Sequence, residues 1–98
     1  MKKLTRKQFV NYLVKRMEKD KDVWLLYIDL GFSFLEVIKN KFPERCLNTG
    51  CIEQSAIDIA CGLAIMNKKV FVYSTSTFLI FRALEQIRNE VIHQNLDV

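Results

Sequence analysis

Glu53 is the residue of this sequence best placed to do chemistry. Ala56, Ile57, Ala60 and Ala64 follow it at three, four, seven and eleven positions, so on a helix the carboxylate shares the apolar face. An ionised carboxylate on such a face lacks water and needs a hydrogen-bond donor. That is the setting of a group that holds or moves a proton. A glutamate at the first turn of a helix is equally explained by the helix dipole, which favours an acid at that end. The alanines matter too, because small side chains let another backbone or a flat ligand approach closely. Phe78 and Phe81, in the apolar run Phe78-Leu79-Ile80-Phe81, form either a hydrophobic slot for a flat ring or ordinary core packing. Asp29, which follows an apolar run, is either a cap for the turn at Ser33 or a polar contact in a crevice.

Other chemistries lack their residues. Cys46, Cys51 and Cys61 make no C-x-x-C pair, and His93 lies far from them, so no zinc spacing can be assembled. A catalytic thiol would need a histidine base, and His93 near the end of the chain is a poor one. Packed, reduced thiols in a cytoplasmic protein are the expectation. Gly31, Gly50 and Gly62 supply neither G-x-G-x-x-G nor a Walker A loop, which argues against dinucleotide and P-loop nucleotide sites.

The elements that must position these residues are legible from periodicity. Thr5 and Gln8 form a capping box that opens a first helix running to about Lys19. Its apolar stripe is Phe9, Val10, Leu13, Val14 and Met17. Val23 to Ile28 is a continuous apolar run, as expected of a parallel strand covered on both faces. Ser33 with Glu36 reads as a second capping box, for a helix that carries Phe34, Leu35, Ile38 and Phe42 and stops at Pro43. A short strand at Cys46-Leu47-Asn48 follows, then a helix from about Ile52 to Met66 with Asn67 as its left-handed stop. Val70 to Tyr73 is a third strand. Ser74 to Thr77 cap a long last helix reaching Gln94. Such alternation predicts right-handed β-α-β crossovers, a parallel sheet in the order 2-1-3, and ligands beyond the carboxyl ends of the strands. Leu96-Asp97-Val98 lies where a fourth strand is due, so the sheet is expected to keep an open edge.

At 98 residues and 11.5 kDa the chain is one domain at most. It is 50% apolar and 27% charged, which allows a packed core. One proline and three glycines are too few for a turn-rich β-sandwich. No apolar run approaches the ~18–20 residues of a membrane helix, and no signal-peptide core follows the basic start. Eight lysines and arginines against two acids crowd the first 21 residues. They are what the first helix leaves for solvent, so neither nucleic acid nor membrane is an expected partner.

The residues singled out carry a resemblance. Asp29-Leu30-Gly31-Phe32-Ser33, Asn48-Thr49-Gly50-Cys51-Ile52-Glu53-Gln54, Ala60-Cys61-Gly62-Leu63-Ala64, and Ser76-Thr77-Phe78-Leu79 with Glu85-Gln86-Ile87-Arg88-Asn89 are the matching segments. Together they resemble the pyrimidine-binding domain of the transketolase family, in order and over nearly the whole chain. That family includes the C-terminal subunits of two-part transketolases and the 1-deoxyxylulose-5-phosphate synthases. The resemblance implies that Glu53 hydrogen-bonds a ring nitrogen of the aminopyrimidine of thiamine diphosphate and so promotes deprotonation of the thiazolium carbon. It also implies that Phe78 and Phe81 line the pyrimidine pocket and that Asp29 lies near the cofactor at a subunit interface. Leu84 stands where a tyrosine is common in the family.

The family's G-D-G…N motif belongs to another domain. The resemblance therefore implies a separate diphosphate-binding domain or subunit supplying Mg2+ or Ca2+, and a homo- or hetero-oligomer. The expected activity is transfer of two-carbon ketol units between sugar phosphates, with the chain inactive alone. Physics and resemblance converge on an α/β, flavodoxin-like three-layer parallel sheet with helices on both faces, cut short after three strands. Residues 1–98 would then be part of one pyrimidine-binding domain. Two rivals remain: a non-catalytic interaction domain or truncated copy retaining the family's dimer surface, and an unrelated α/β signalling domain. The lack of an acidic cluster at the end of the first strand counts against the last.

Overall fold

In the computed structural model, residues 3–30 and 33–98 are described. Gly31 and Phe32, within the Asp29–Ser33 segment, lie outside them. The first helix, α1 (Arg6–Lys19), opens on the expected capping box: Gln8 N donates to Thr5 Oγ1 at 3.2 Å and Thr5 N to Gln8 Oε1 at 2.8 Å. Three strands follow, β1 (Val23–Tyr27), β2 (Cys46–Asn48) and β3 (Lys69–Tyr73), all parallel, in the order β2-β1-β3.

The central strand β1 explains why its sequence shows no alternation. Val23, Leu25 and Tyr27 face a core shared with Val10, Leu13 and Met17 of α1 and with Leu35 and Ile38. Leu26 faces the other way, onto Ala60 and Val70. Both faces of the strand are dry, so every position is apolar. Arg45 ties the first layer to the sheet. Its guanidinium donates to the carbonyls of Met17, Asp20 and Val23 at 3.0–3.1 Å and lies 4.7 Å from the Phe42 ring centroid. It satisfies carbonyls that the end of α1 leaves open.

Four expectations are corrected. The second helix, α2, spans Glu36–Lys41, with Leu35 as its N-cap and no side-chain cap bond. Ser33 lies in the turn before it, and burial of Leu35 sets where the helix begins. The third helix, α3 (Glu53–Ile65), turns its alanines inward: Ala56 and Ala60 are fully buried. Their small side chains let the helix approach its own sheet, not a second chain. Asn67 does end the helix in the left-handed region, at φ 66°.

The last helix is not continuous. It is divided into α4 (Ser76–Arg82), α5 (Leu84–Gln86) and a π-helical segment, Ile87–Ile92, with the break at Ala83 (φ −111°, ψ 21°). Ala83 is fully buried and clusters with Ile57 and Cys61 of α3. Finally, the outer edge of β3 is not bare. Val70 N donates to Asp97 O at 3.0 Å, and Val98 packs against the cluster of Leu26, Ala60 and Val70. The result is three layers, with α1 and α2 on one face of the sheet and α3 with the C-terminal helical segments on the other.

Candidate functional site

The carboxyl ends of the strands carry three loops, and the first two are locked together. Asn48 Oδ1 accepts from Asp29 N at 3.0 Å and from Gly50 N at 2.9 Å, while Asn48 Nδ2 donates to Asp29 Oδ1 at 3.3 Å. These bonds hold Asp29 at φ 47°, a left-handed conformation that a short polar side chain tolerates. Gly50 at φ 75° makes the turn that feeds α3. Asp29 is therefore tied to the end of β2, with its Oδ2 3.9 Å from Cys51 Sγ.

Glu53 opens α3 one residue past the N-cap Ile52. Its side chain is only 9% exposed, on the face shared with Ala56, Ile57 and Ala60, as the spacing predicts. Arg82 Nη1 donates to Glu53 Oε1 at 3.1 Å, and among the described residues no other donor reaches the carboxylate. The first turn of α3 and Arg82 line a cleft of about 390 Å³, with Cys51, Ile52, Gln54 and Ser55 completing its wall.

Arg82 is the residue that sequence reasoning missed. Its guanidinium carbon lies 4.2 Å from the Phe78 ring centroid, and its carbonyl accepts from Gln54 Nε2 at 3.0 Å. The only sequence signal was the i, i+4 spacing that puts Phe78 and Arg82 on one side of α4. Core packing is excluded for both phenylalanines, since Phe78 is 44% exposed and Phe81 74%. Phe78 meets the cleft through Arg82. Phe81 is turned to solvent and does not line it.

A second hollow, about 480 Å³, lies at the same edge of the sheet between Arg6, Phe34, Tyr73 and the Ser74–Ser76 loop. Arg6 holds its guanidinium 5.5 Å from the Phe34 ring centroid there.

This arrangement is a buried carboxylate on a cleft at the carboxyl edge of a parallel sheet, paired with an arginine that lies over an aromatic ring. Residues 1–98 match the family described as transketolase, pyrimidine binding domain, and the chain belongs to that family. It is 32% identical over 94 residues to an apulose-4-phosphate transketolase subunit of Phocaeicola vulgatus, covering 95% of this chain and 30% of that protein. It is 35% identical over 91 residues to 1-deoxy-D-xylulose-5-phosphate synthase of Fusobacterium nucleatum, covering 92% of this chain and 15% of that one. A solved split gene transketolase, described as an inactive beta4 tetramer, superposes with a TM-score of 0.82 at 32% identity, over 92% of this chain and 30% of that one. The chain thus spans less than a third of the length of these relatives. Among the described residues no helix is long and apolar enough to cross a membrane.

Proposed function

We propose that this chain is the pyrimidine-binding portion of a transketolase-like, thiamine-diphosphate-dependent enzyme that moves two-carbon ketol units between sugar phosphates. The observation that carries the reading is the Glu53 carboxylate, 9% exposed at the first turn of α3 and opening on a cleft beside an aromatic ring. The residues fit the group. A buried carboxylate favours a ligand that brings a positive charge or a strong donor to it. The Phe78 face favours a flat ring, and a planar cation already lies there.

In this reading Glu53 is the catalytic residue: its oxygen binds a ring nitrogen and holds the proton that the nitrogen shares. Phe78 and Phe81 flank the ring, with Phe81 completing the pocket only against another subunit. Asp29, fixed by Asn48, contributes to the cofactor crevice. Thiamine diphosphate, when bound, supplies a carbon acid whose conjugate base attacks carbonyl groups. The diphosphate-binding residues and Mg2+ or Ca2+ come from a separate domain or subunit, in a homo- or hetero-oligomer, and the chain alone is inactive. The share of the relatives' length that the chain spans, and the subunit and tetramer in their names, support that assembly.

Exchange of the thiazolium proton for deuterium tests the assignment without a known sugar substrate. In the enzyme assembled with its diphosphate-binding part, Glu53→Gln is expected to fold and to bind cofactor. It should exchange that proton roughly 10²–10⁴-fold more slowly, the usual scale of a lost acid–base group. Exchange at the wild-type rate would remove the catalytic role of Glu53.

A further inference from the structure

Arg82 stands in the place the cleft reserves for its ligand. The residue ends α4, and Gln54 fixes its carbonyl to the first turn of α3, so the side chain starts from an anchored point. From there the guanidinium makes two contacts: an N–H to Glu53 Oε1 at 3.1 Å, and its central carbon over the Phe78 ring, 4.2 Å from the centroid. Arginine suits both, because its plane is rigid and delocalised, donates along its edge and stacks on aromatic faces. A protonated nitrogen heterocycle with an exocyclic amino group would use the same partners in the same way, edge to carboxylate and face to ring. Both cannot be there at once.

The pair is asymmetric. Glu53 is 9% exposed and Arg82 56%, so the carboxylate is fixed inside the fold while the cation can swing out to water at small cost. We propose that Arg82 is a placeholder: it keeps Glu53 paired while the cleft is empty, and an incoming flat, protonatable ring displaces it, donor for donor. This rests on the proposed cofactor site. Two consequences follow. Glu53 is never left buried without a donor, which would be costly. Ligand affinity is lowered by the fraction of chains in which Arg82 fills the cleft. Arg82 is in this sense a positioning residue that competes with the ligand and does not help to bind it.

The test uses the full 98-residue chain and a probe that carries only the recognised chemistry, 4-amino-2-methylpyrimidine, followed by calorimetry and NMR. Arg82→Met keeps the aliphatic stem and removes the planar cation, and should bind the probe roughly 3- to 30-fold more tightly than wild type. Arg82→Lys keeps a charge without the planar fork and should fall between them; it also serves if the Met variant does not fold. In the free wild-type chain the Arg82 Nε–H resonance should carry the ring-current shift of Phe78, and saturating probe should move it to the position of a solvated arginine. Tighter binding together with that movement supports the placeholder. If both Arg82 variants bind no better than wild type while Glu53→Gln loses the probe, the placeholder is overturned and the ring site stands. If Glu53→Gln binds as well as wild type, or no form binds, the site reading fails and the placeholder with it.

Discussion

Cys51 and Cys61 are thiols of one chain with opposite surroundings. Cys51 is exposed and lines the cleft beside Glu53, whereas Cys61 is buried in the contact between α3 and the C-terminal segments. Burial pushes the Cys61 thiol up to about 11, with the Glu90 carboxyl beside it adding to the effect. Glu90 is itself raised, first because its protonated carboxyl can donate to the Asp58 carboxylate and then by burial, and its Oε2 has no partner among the described residues. Cys46 is buried as well, and its thiol is raised by desolvation. Disulfide-exchange titration of the folded chain should therefore label Cys51 first. Cys61 should stay slow until the pH nears 11, because the reactive thiolate is scarce below that pH. Thiamine diphosphate at saturation in the assembled enzyme should slow Cys51 labelling and leave the slow phases unchanged. Equal labelling with and without cofactor would mean that the cleft beside Glu53 is not where it binds.

At the scale of elements, the break at Ala83 decides where Arg82 and Phe78 point. Ala83 has no accessible surface and packs on Ile57 and Cys61, so the last turn of α4 is pressed onto the buried side of α3. Ala83→Val should cost about 1–3 kcal/mol by overpacking, read as a shift in the urea midpoint, and should also weaken cofactor binding if it moves the Phe78 ring away from Glu53. A variant as stable as wild type would show that the contact is slack. The break also marks the limit of what local sequence shows. Residues 76–94 contain neither proline nor glycine, and their propensities favour one helix; packing on α3 overrides them. The strands and their order were readable because a doubly covered strand is apolar throughout, as in Val23–Tyr27. The burial of Glu53 followed from its spacing. Arg82 did not, because its partner lies 29 residues away and only the fold brings the two together. The alanines of α3 were read as open to another backbone or a flat ligand for the same reason: periodicity defines a face but not what covers it.

At the scale of the whole molecule, the densest run of exposed apolar side chains among the described residues is on α4 and α5. Between residues 78 and 84, Phe78, Ile80, Phe81 and Leu84 are all large, apolar and 44% to 74% exposed. Single exposed apolar residues are ordinary on a small domain, but four within seven positions mark a contact surface. The proposed assembly gives that surface an occupant, since α4 also carries Arg82 of the cleft wall, and a second subunit docked there would cover Phe81 and Leu84. Sedimentation over a range of concentrations should show association of the wild-type chain. Phe81→Asp should weaken it roughly ten-fold or more, the scale of an aromatic anchor at an interface. The fold itself should hold, because a side chain 74% exposed contributes little to the interior and surface changes cost about 0.5 kcal/mol or less. Val37→Asp is the control. Val37 is 52% exposed but sits on α2, across the sheet from α4, so it should leave association unchanged. A wild-type mass that stays monomeric at every concentration would mean that these side chains await a different polypeptide, and Phe81→Asp should then weaken binding of the diphosphate-binding subunit instead. If both associations survive the substitution, the surface of α4 and α5 is not an interface.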